Sequence, residues 1–227
     1  MEYGPYKPTR KTLYEYLPLG ILHIAIFVVV YGFTNHHAAQ LGSDQLLVFF
    51  HPWELKIPFV PEWFFVYASI GLMLWMPLFF VPLHRVGRYT VAQILATLIA
   101  GTFFYLFPFD CGFSRSIPDE GGWHTALTLF YAIDKPHNLV PSLHIGYSTV
   151  VLLFSREHAQ GRWYIILHLW TLAIYASVLF THQHHVIDIL TGIVLSLAVY
   201  KIAKQLPDAL GRYFAKPEEE ISQEATP

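Results

Sequence analysis

The chain has 227 residues, of which 54% are hydrophobic and only 13% are charged, and its formal net charge at pH 7 is -2. So few charges in so apolar a chain exclude an ordinary soluble domain and predict a membrane protein. The small net charge and the lack of a basic block argue against a nucleic-acid partner. Cys111 is the single cysteine, so it can form neither an internal disulfide nor a cysteine-rich metal site.

Apolar stretches of roughly the length that a bilayer requires follow a short basic segment at residues 1–15. Between the first two stretches, Asn35–Pro61 is mixed in character and contains three prolines, so we expect an interfacial loop or a short surface helix there. The fourth stretch, Leu143–Phe154, is shorter than a membrane span requires. The six predicted spans are Tyr16–Phe33, Trp63–Leu83, Tyr89–Phe107, Leu143–Phe154, Trp163–Phe180 and Val186–Ala203.

The Lys and Arg residues predict which side of the membrane each loop faces. With the N-terminus inside, eleven of the fourteen lie on the cytoplasmic side, and Lys56, Arg115 and Lys135 lie outside, as the positive-inside rule requires. We therefore predict an all-α integral membrane bundle of about six transmembrane helices over residues 16–206. Both termini are expected in the cytoplasm, with residues 207–227 as a disordered tail.

This topology brings the polar parts of the chain to one face of the membrane. The loop Phe109–Val140, the start of the fourth span at Pro141 and the turn Thr181–His185 all fall on the outer side. A site built from them would act at the extracytoplasmic surface.

The densest polar patch is the turn Thr181–His185, which opens the last apolar run. If that run is helical, His184 and Asp188 lie four residues apart on one face, so the carboxylate can reach one ring nitrogen and leave the other free. A histidine held in this way is a candidate nucleophile. The alternative is a purely structural pair, because a carboxylate that enters a membrane helix needs a partner.

A second candidate patch, Pro141–His144, precedes the short fourth span. Proline is favoured in the first turn of a helix, so Ser142, Leu143 and His144 are expected to offer free backbone N–H groups to a phosphate oxygen. His144 would lie beside that anion. The alternative is that Pro141 and Ser142 only cap a helix and that His144 is a hydrogen-bonded interfacial histidine.

Two of the outer basic residues are candidate phosphate ligands. Arg115 is the better one, because a guanidinium can bind two oxygens at once. Lys135 is a weaker second candidate. An arginine in a solvated loop is the alternative interpretation of Arg115.

Taken in this order, the patches resemble motifs of the type-2 phosphatidic acid phosphatase superfamily, especially its inositol phosphorylceramide synthase-like branch of inositolphosphotransferases. Pro141–His144 is similar to the second motif and Ser177–Asp188 to the third. The resemblance implies a bundle of about six transmembrane helices that uses neither metal nor cofactor. His184 would attack phosphorus, Asp188 would orient it, and His144 would protonate the leaving alkoxide and then activate the incoming water or alcohol.

The chain departs from the family pattern at two phosphate-binding cations. The first motif has a lysine, six residues and then Arg-Pro, but here Pro108 takes the lysine position and Ser116 follows Arg115. Many of the phosphatases carry an arginine where this chain has Val178. The candidates to replace these cations are His182, His185 and Lys135.

The sequence is compatible with three functions. The first is a lipid phosphatase that hydrolyses a lipid phosphate ester at the outer face through a phosphohistidine, and the second is a phosphotransferase that moves a phospho-head group to a lipid or polyol alcohol. The third is a non-catalytic histidine-rich membrane protein. It would bind haem through His23 and His168, or a transition metal through His182, His184 and His185.

Overall fold

The computed structural model describes residues 5–115, 117 and 122–207 of the chain. The predicted disordered tail falls almost entirely outside these residues. Two single-turn 3-10 helices, Ser43–Gln45 and Glu54–Lys56, precede the second helix. The α-helices are α1 Arg10–Ala38, α2 Trp63–Ala68, α3 Ile70–Met73, α4 Pro77–Phe80, α5 Leu83–Leu106, α6 Gly122–Ile133, α7 Leu143–Ser155, α8 Arg162–Phe180 and α9 Val186–Gln205.

The described chain crosses the bundle six times, which confirms the predicted all-α membrane architecture. Helices α1, α5, α8 and α9 are long and apolar enough to cross a membrane on their own. The second crossing is made by α2, α3 and α4 in succession, and the fourth by α7, whose 13 residues span about 20 Å. Large apolar side chains such as Val29 and Val194, 69% and 67% exposed, cover the outside of the long helices.

The second predicted span, Trp63–Leu83, is not one helix, and its own residues explain the breaks. The Ser69 hydroxyl donates to the carbonyl oxygen of Val66 at 2.6 Å and so competes with the helical backbone bonds. Pro77 begins α4 and Pro82 precedes α5, since proline has no N–H to continue a helix.

Helix α1 contains the first predicted span and extends beyond it at both ends. Helix α1 starts at Arg10, because Thr9 caps it: the Thr9 hydroxyl accepts from the Thr12 amide at 3.1 Å, and the Thr12 hydroxyl accepts from the Thr9 amide at 3.2 Å.

Hydrogen bonds join the loops at one end of the bundle, which we call the polar end. Asp110 N–H donates to the carbonyl of Leu47, and Val60 N–H donates to that of Phe180. The Asn35 side chain bonds the backbone of Lys135 in both directions, at 2.9 and 3.2 Å. The predicted meeting of the outer segments is therefore present in the structure.

The opposite end of the bundle carries a separate charged cluster. Glu157 accepts from Arg85 at 2.5 Å and from Lys204 at 2.8 Å. These contacts join the start of α5 and the end of α9 to the segment that follows α7. The Tyr6 amide donates to the carbonyl of Phe79 at the same end. Arg85 and Lys204 thus lie at the other end of the bundle from Arg115 and Lys135.

The predicted loop Phe109–Val140 contains a helix that we did not predict, α6. Apolar residues recur at helical spacing within it, at Leu127, Phe130 and Tyr131, and Leu127 is fully buried. This helix forms part of the polar end and carries residues that surround the candidate site.

Candidate active site

His184 and Asp188 form the pair that their spacing predicts. The His184 Nδ1 lies 3.1 Å from the Asp188 Oδ2, and the two side chains are only 6% and 2% exposed. Because a carboxylate only accepts hydrogen bonds, Nδ1 carries the proton and the lone pair of the neutral ring lies on Nε2. Within the described part of the chain, Nε2 has no hydrogen-bond partner, so it is available for attack.

The reason for this contact differs from the predicted one. Helix α9 begins at Val186, so His184 lies before the helix and not on its face. Asp188 is the third residue of the helix, and its Oδ2 also accepts from the His185 amide at 2.9 Å. The carboxylate caps the helix and faces its positive end, which stabilises the buried charge.

His144 lies close to this pair. It is the second residue of α7, its ring is stacked 4.0 Å from that of Tyr67, and its centroid lies 6.1 Å from that of His184. At this separation one phosphoryl group could contact both imidazole rings, since attack distances are about 3–3.5 Å.

The predicted phosphate-binding amides need one correction. Ser142 is the N-cap of α7, and its N–H donates to the Asp188 carbonyl at 3.2 Å, so this amide is not free for an anion. The Ser142 hydroxyl accepts from the Ile145 amide. Leu143 and His144 occupy the first two helical positions, whose N–H groups have no intrahelical acceptor, and they are the remaining candidate donors.

Arg115 already has a partner in the structure. Its guanidinium donates to the backbone carbonyl of Asp134, lies 3.3 Å from the Asp134 carboxylate and covers the ring of Tyr131 at 4.5 Å. The Tyr31 hydroxyl also donates to Asp134. Burial raises the pKa of the Asp134 carboxyl above its ordinary value, although Tyr31 and Arg115 act in the opposite direction. A phosphate would have to compete with Asp134 for Arg115.

The three proposed substitutes for the missing cations are placed differently. Lys135 lies in the wall of the cavity that His144 lines, with its Nζ 3.1 Å from the Ala132 carbonyl. His182, by contrast, bonds the Ile57 carbonyl at 2.8 Å and stacks on Phe113. Burial lowers the pKa of His182.

His185, the third proposed substitute, is buried, and both of its ring nitrogens have hydrogen-bond partners. The sequence did not predict these contacts. Its Nδ1 lies 3.2 Å from the Glu54 Oε2, and its Nε2 donates to the carbonyl of Cys111. Both ring nitrogens thus face oxygen acceptors. The ring is stacked between Phe50 and Phe113, 4.5 and 4.4 Å from their centroids.

Glu54 is a buried residue of this region whose role the sequence did not indicate. It is 4% exposed, and besides His185 it accepts from the amides of Val186 and His51, both at 2.8 Å. Burial would raise the pKa of Glu54, but these two amides and the His185 ring lower it below its ordinary value. Glu54 thus ties the segment between α1 and α2 to Val186, the first residue of the helix that carries Asp188.

A cavity of about 730 Å³ opens beside His144, between α1, α2, α6 and α7. Its wall is mainly apolar, with Phe27, Phe64 and Phe130 among the lining residues, and its polar lining includes Asp134, Lys135 and His144. The volume lies in the range of small-molecule binding sites.

The histidines of the binding-protein alternative have separate partners. His182, His184 and His185 bond Ile57, Asp188 and Glu54 respectively, and among the described residues no group of three or more His, Cys, Asp or Glu is placed to hold a metal ion. The two histidines considered for haem also have neighbours of their own: His23 packs edge-on against Tyr147, and His168 Nδ1 lies 2.7 Å from the Tyr164 carbonyl of its own helix.

No protein-family model matches this chain, and no curated protein and no solved structure matches it either. Membership of the superfamily that the motifs resemble therefore stays a hypothesis.

Proposed function

We propose that the chain is a membrane-embedded, metal-independent phosphatase that hydrolyses a lipid phosphate ester through a phosphohistidine. The observation that supports this proposal is the bonded His184–Asp188 pair beside His144, whose ring centroid lies 6.1 Å from that of His184 and which itself lines a large, mainly apolar cavity. Nucleophile, orienting carboxylate and proton donor are the three groups that such a transfer needs.

In the first half-reaction, the Nε2 lone pair of His184 attacks phosphorus and the bond between phosphorus and the lipid oxygen breaks. His144 gives a proton to the leaving alkoxide, so the lipid departs as an alcohol; the ring must carry this proton when the lipid phosphate is bound. Asp188 holds the Nδ1 proton and stabilises the positive charge that develops on the His184 ring. The amides of Leu143 and His144, at the N-terminus of α7, face the phosphoryl oxygens.

In the second half-reaction, His144 removes a proton from water, whose oxygen attacks phosphorus as the bond to Nε2 breaks. The products are inorganic phosphate and the regenerated pair of rings. Arg115 and Lys135 are the cations at hand to neutralise the phosphoryl group, Arg115 once it leaves Asp134.

The direct test is a short pulse of the purified protein with a lipid phosphate labelled on phosphorus, followed by acid and base treatment of the protein. Acid-labile, base-stable label is expected on the wild type and is absent from His184→Ala, because that variant lacks the attacking nitrogen. His168→Ala, a histidine of a long helix outside the site, is the control and should label normally. Label on His184→Ala at the wild-type level would refute the proposal.

The same residues can serve transfer to an alcohol, and one observation favours it as the second candidate. His184 and Asp188 are 5% and 1% exposed, so water has limited access, whereas the cavity beside His144 could deliver a long-chain alcohol. Adding such an alcohol during turnover should yield its phosphate ester if transfer occurs, and only inorganic phosphate if hydrolysis alone occurs.

A further inference from the structure

A second cavity continues the first one deeper into the bundle. It has a volume of about 230 Å³, lies between α1, α3 and α5, and shares His23, Ile24 and Leu74 with the larger cavity. The two cavities therefore meet at His23, and together they lead from the site at His144 toward Tyr16 near the other end of α1.

His23 and Gln93 line the smaller cavity, and each has one buried polar atom without a hydrogen-bond partner in the described structure, His23 Nε2 and Gln93 Oε1. His23 is 7% exposed and Gln93 is fully buried. The amide nitrogen of Gln93 bonds the Tyr89 hydroxyl at 3.0 Å, so only its oxygen remains unpaired. Such atoms are unfavourable inside a membrane bundle unless something bonds them.

His23 lies at a depth in the bundle that the chain of a bound lipid could reach. His23 lies twelve residues before Asn35, whose side chain marks the polar end by its bond to Lys135, a distance of about 18 Å along the helix. One leaflet of hydrocarbon is about 15 Å thick. A lipid whose head group is at Asn35 would therefore bring the far part of its chain to His23. A lipid whose phosphate lies at His144 would bring a nearer part of its chain there, because His23 packs against Tyr147, about one helical turn after His144.

We propose that the two cavities bind the chain of a lipid that carries a hydroxyl group along its length, and that His23 and Gln93 recognise this hydroxyl. A hydroxyl matches both atoms, because it donates one hydrogen bond to Gln93 Oε1 and accepts another from a protonated His23 Nε2. A plain hydrocarbon chain leaves both atoms unpaired. His23 and Gln93 are thus specificity-determining residues, and the phosphate end of the lipid lies at His144 if the proposed function holds.

The test uses palmitate and a palmitate hydroxylated in mid-chain, each displacing a photoactivatable fatty acid from the detergent-purified protein. The hydroxylated acid should displace the probe at about threefold to tenfold lower concentration, as one or two net hydrogen bonds allow. His23→Leu and Gln93→Leu should each reduce or abolish this preference. His168→Leu, which changes a histidine outside both cavities, should keep it.

Equal displacement by the two acids in the wild type would overturn the inference and would leave water as the partner of the two atoms. So would failure of both acids to displace the probe, or a preference that survives both Leu variants. Because fatty acids carry no phosphoryl group, the same measurement on His184→Ala should give the wild-type result. A failure of the lipid-binding inference can thus be distinguished from a failure of the proposed phosphoenzyme formation.

Discussion

The backbone amide of Ser142 donates to the backbone carbonyl of Asp188 at 3.2 Å, which joins the first turn of α7 to the first turn of α9. His144 follows Ser142 by two residues, and His184 is bonded to Asp188. This backbone bond therefore helps to set the position of His144, the proposed acid-base residue, relative to His184, the proposed nucleophile. It also explains why two short polar patches 40 residues apart in the chain form a single site.

Gly192 allows these two helices to approach each other, so Gly192→Ala is expected to separate the catalytic rings. A Cβ at this position would lie 2.8 Å from the Ser142 carbonyl oxygen and 2.8 Å from the Ile145 Cβ. The backbone must shift, at a cost of about 1–3 kcal/mol, and a displacement of about 1 Å at the site could lower turnover by about 100-fold. Gly146→Ala is the matched control in the same interface, because its Cβ would meet only Leu195 at 3.9 Å.

Turnover and thermal unfolding of both variants check this expectation. Gly146→Ala should retain activity and stability. Wild-type turnover in a folded Gly192→Ala variant would show that the spacing of α7 and α9 does not limit the reaction.

Asp188→Asn and His144→Ala should impair the reaction in different ways. Asp188→Asn leaves His184 poorly oriented, so activity with every substrate should fall by about 10⁴-fold, as when a carboxylate behind a catalytic histidine is neutralised. His144→Ala removes the proton donor, so a substrate with an acidic phenol leaving group should still phosphorylate His184. Phosphoenzyme formation measured with phenyl and alkyl esters separates the two roles. Equal losses for both esters in His144→Ala would contradict them.

The parts of the site that could be predicted are those set by short spacing or by charge. The His184–Asp188 contact follows from four residues of separation, and the meeting of the loops at the polar end agrees with the topology that the distribution of Lys and Arg predicts. Even so, the capping geometry of α9, in which Asp188 also bonds the His185 amide, could not be distinguished from a helical face by spacing alone.

The contacts that could not be predicted connect distant parts of the chain. Glu54 and His185 are 131 residues apart, and nothing local to either residue specifies the other. The same holds for the stacking of Tyr67 on His144. The pairing of Arg115 with Asp134 could not be predicted for a second reason: the sequence predicts a loop where helix α6 positions Asp134.

Glu54→Gln should destabilise the polar end in a pH-dependent way. The folded protein lowers the pKa of Glu54 below 4.5, so its stabilising contribution is complete above pH 4.5 and is lost as the pH falls through the folded pKa. Near neutral pH the variant replaces the buried carboxylate that accepts from the amides of Val186 and His51 and contacts His185, which is expected to cost about 1–3 kcal/mol. Thermal unfolding at several pH values should show a gap between the two proteins that closes in acid.

Glu62→Gln is the control for this experiment, because Glu62 is an exposed carboxylate near the same end of the bundle. Its unfolding temperature should follow that of the wild type at every pH. A constant gap between the wild type and Glu54→Gln down to strongly acidic pH would show that the ionised carboxylate is not what holds the loop.

The last prediction concerns the competition between Asp134 and phosphate for Arg115. Asp134→Asn removes the carboxylate that now holds the guanidinium at 3.3 Å, so a phosphate analogue such as orthovanadate should bind about tenfold more tightly, the equivalent of one charge-assisted hydrogen bond. Arg115→Leu should weaken binding instead, and Asp110→Asn, a loop carboxylate that bonds the Gly112 amide, should leave it unchanged.

The pH dependence of phosphate binding tests independently whether Asp134 opposes or assists that binding. Because burial raises the pKa of Asp134, lowering the pH toward that value neutralises the carboxyl and leaves the Arg115 guanidinium to the anion. Wild-type inhibition by inorganic phosphate, compared at equal concentrations of its monoanion, should therefore strengthen as the pH falls, while inhibition of Asp134→Asn should not change over the same interval. If Asp134→Asn instead weakens binding as much as Arg115→Leu does, then Asp134 positions Arg115 for phosphate and does not compete for it.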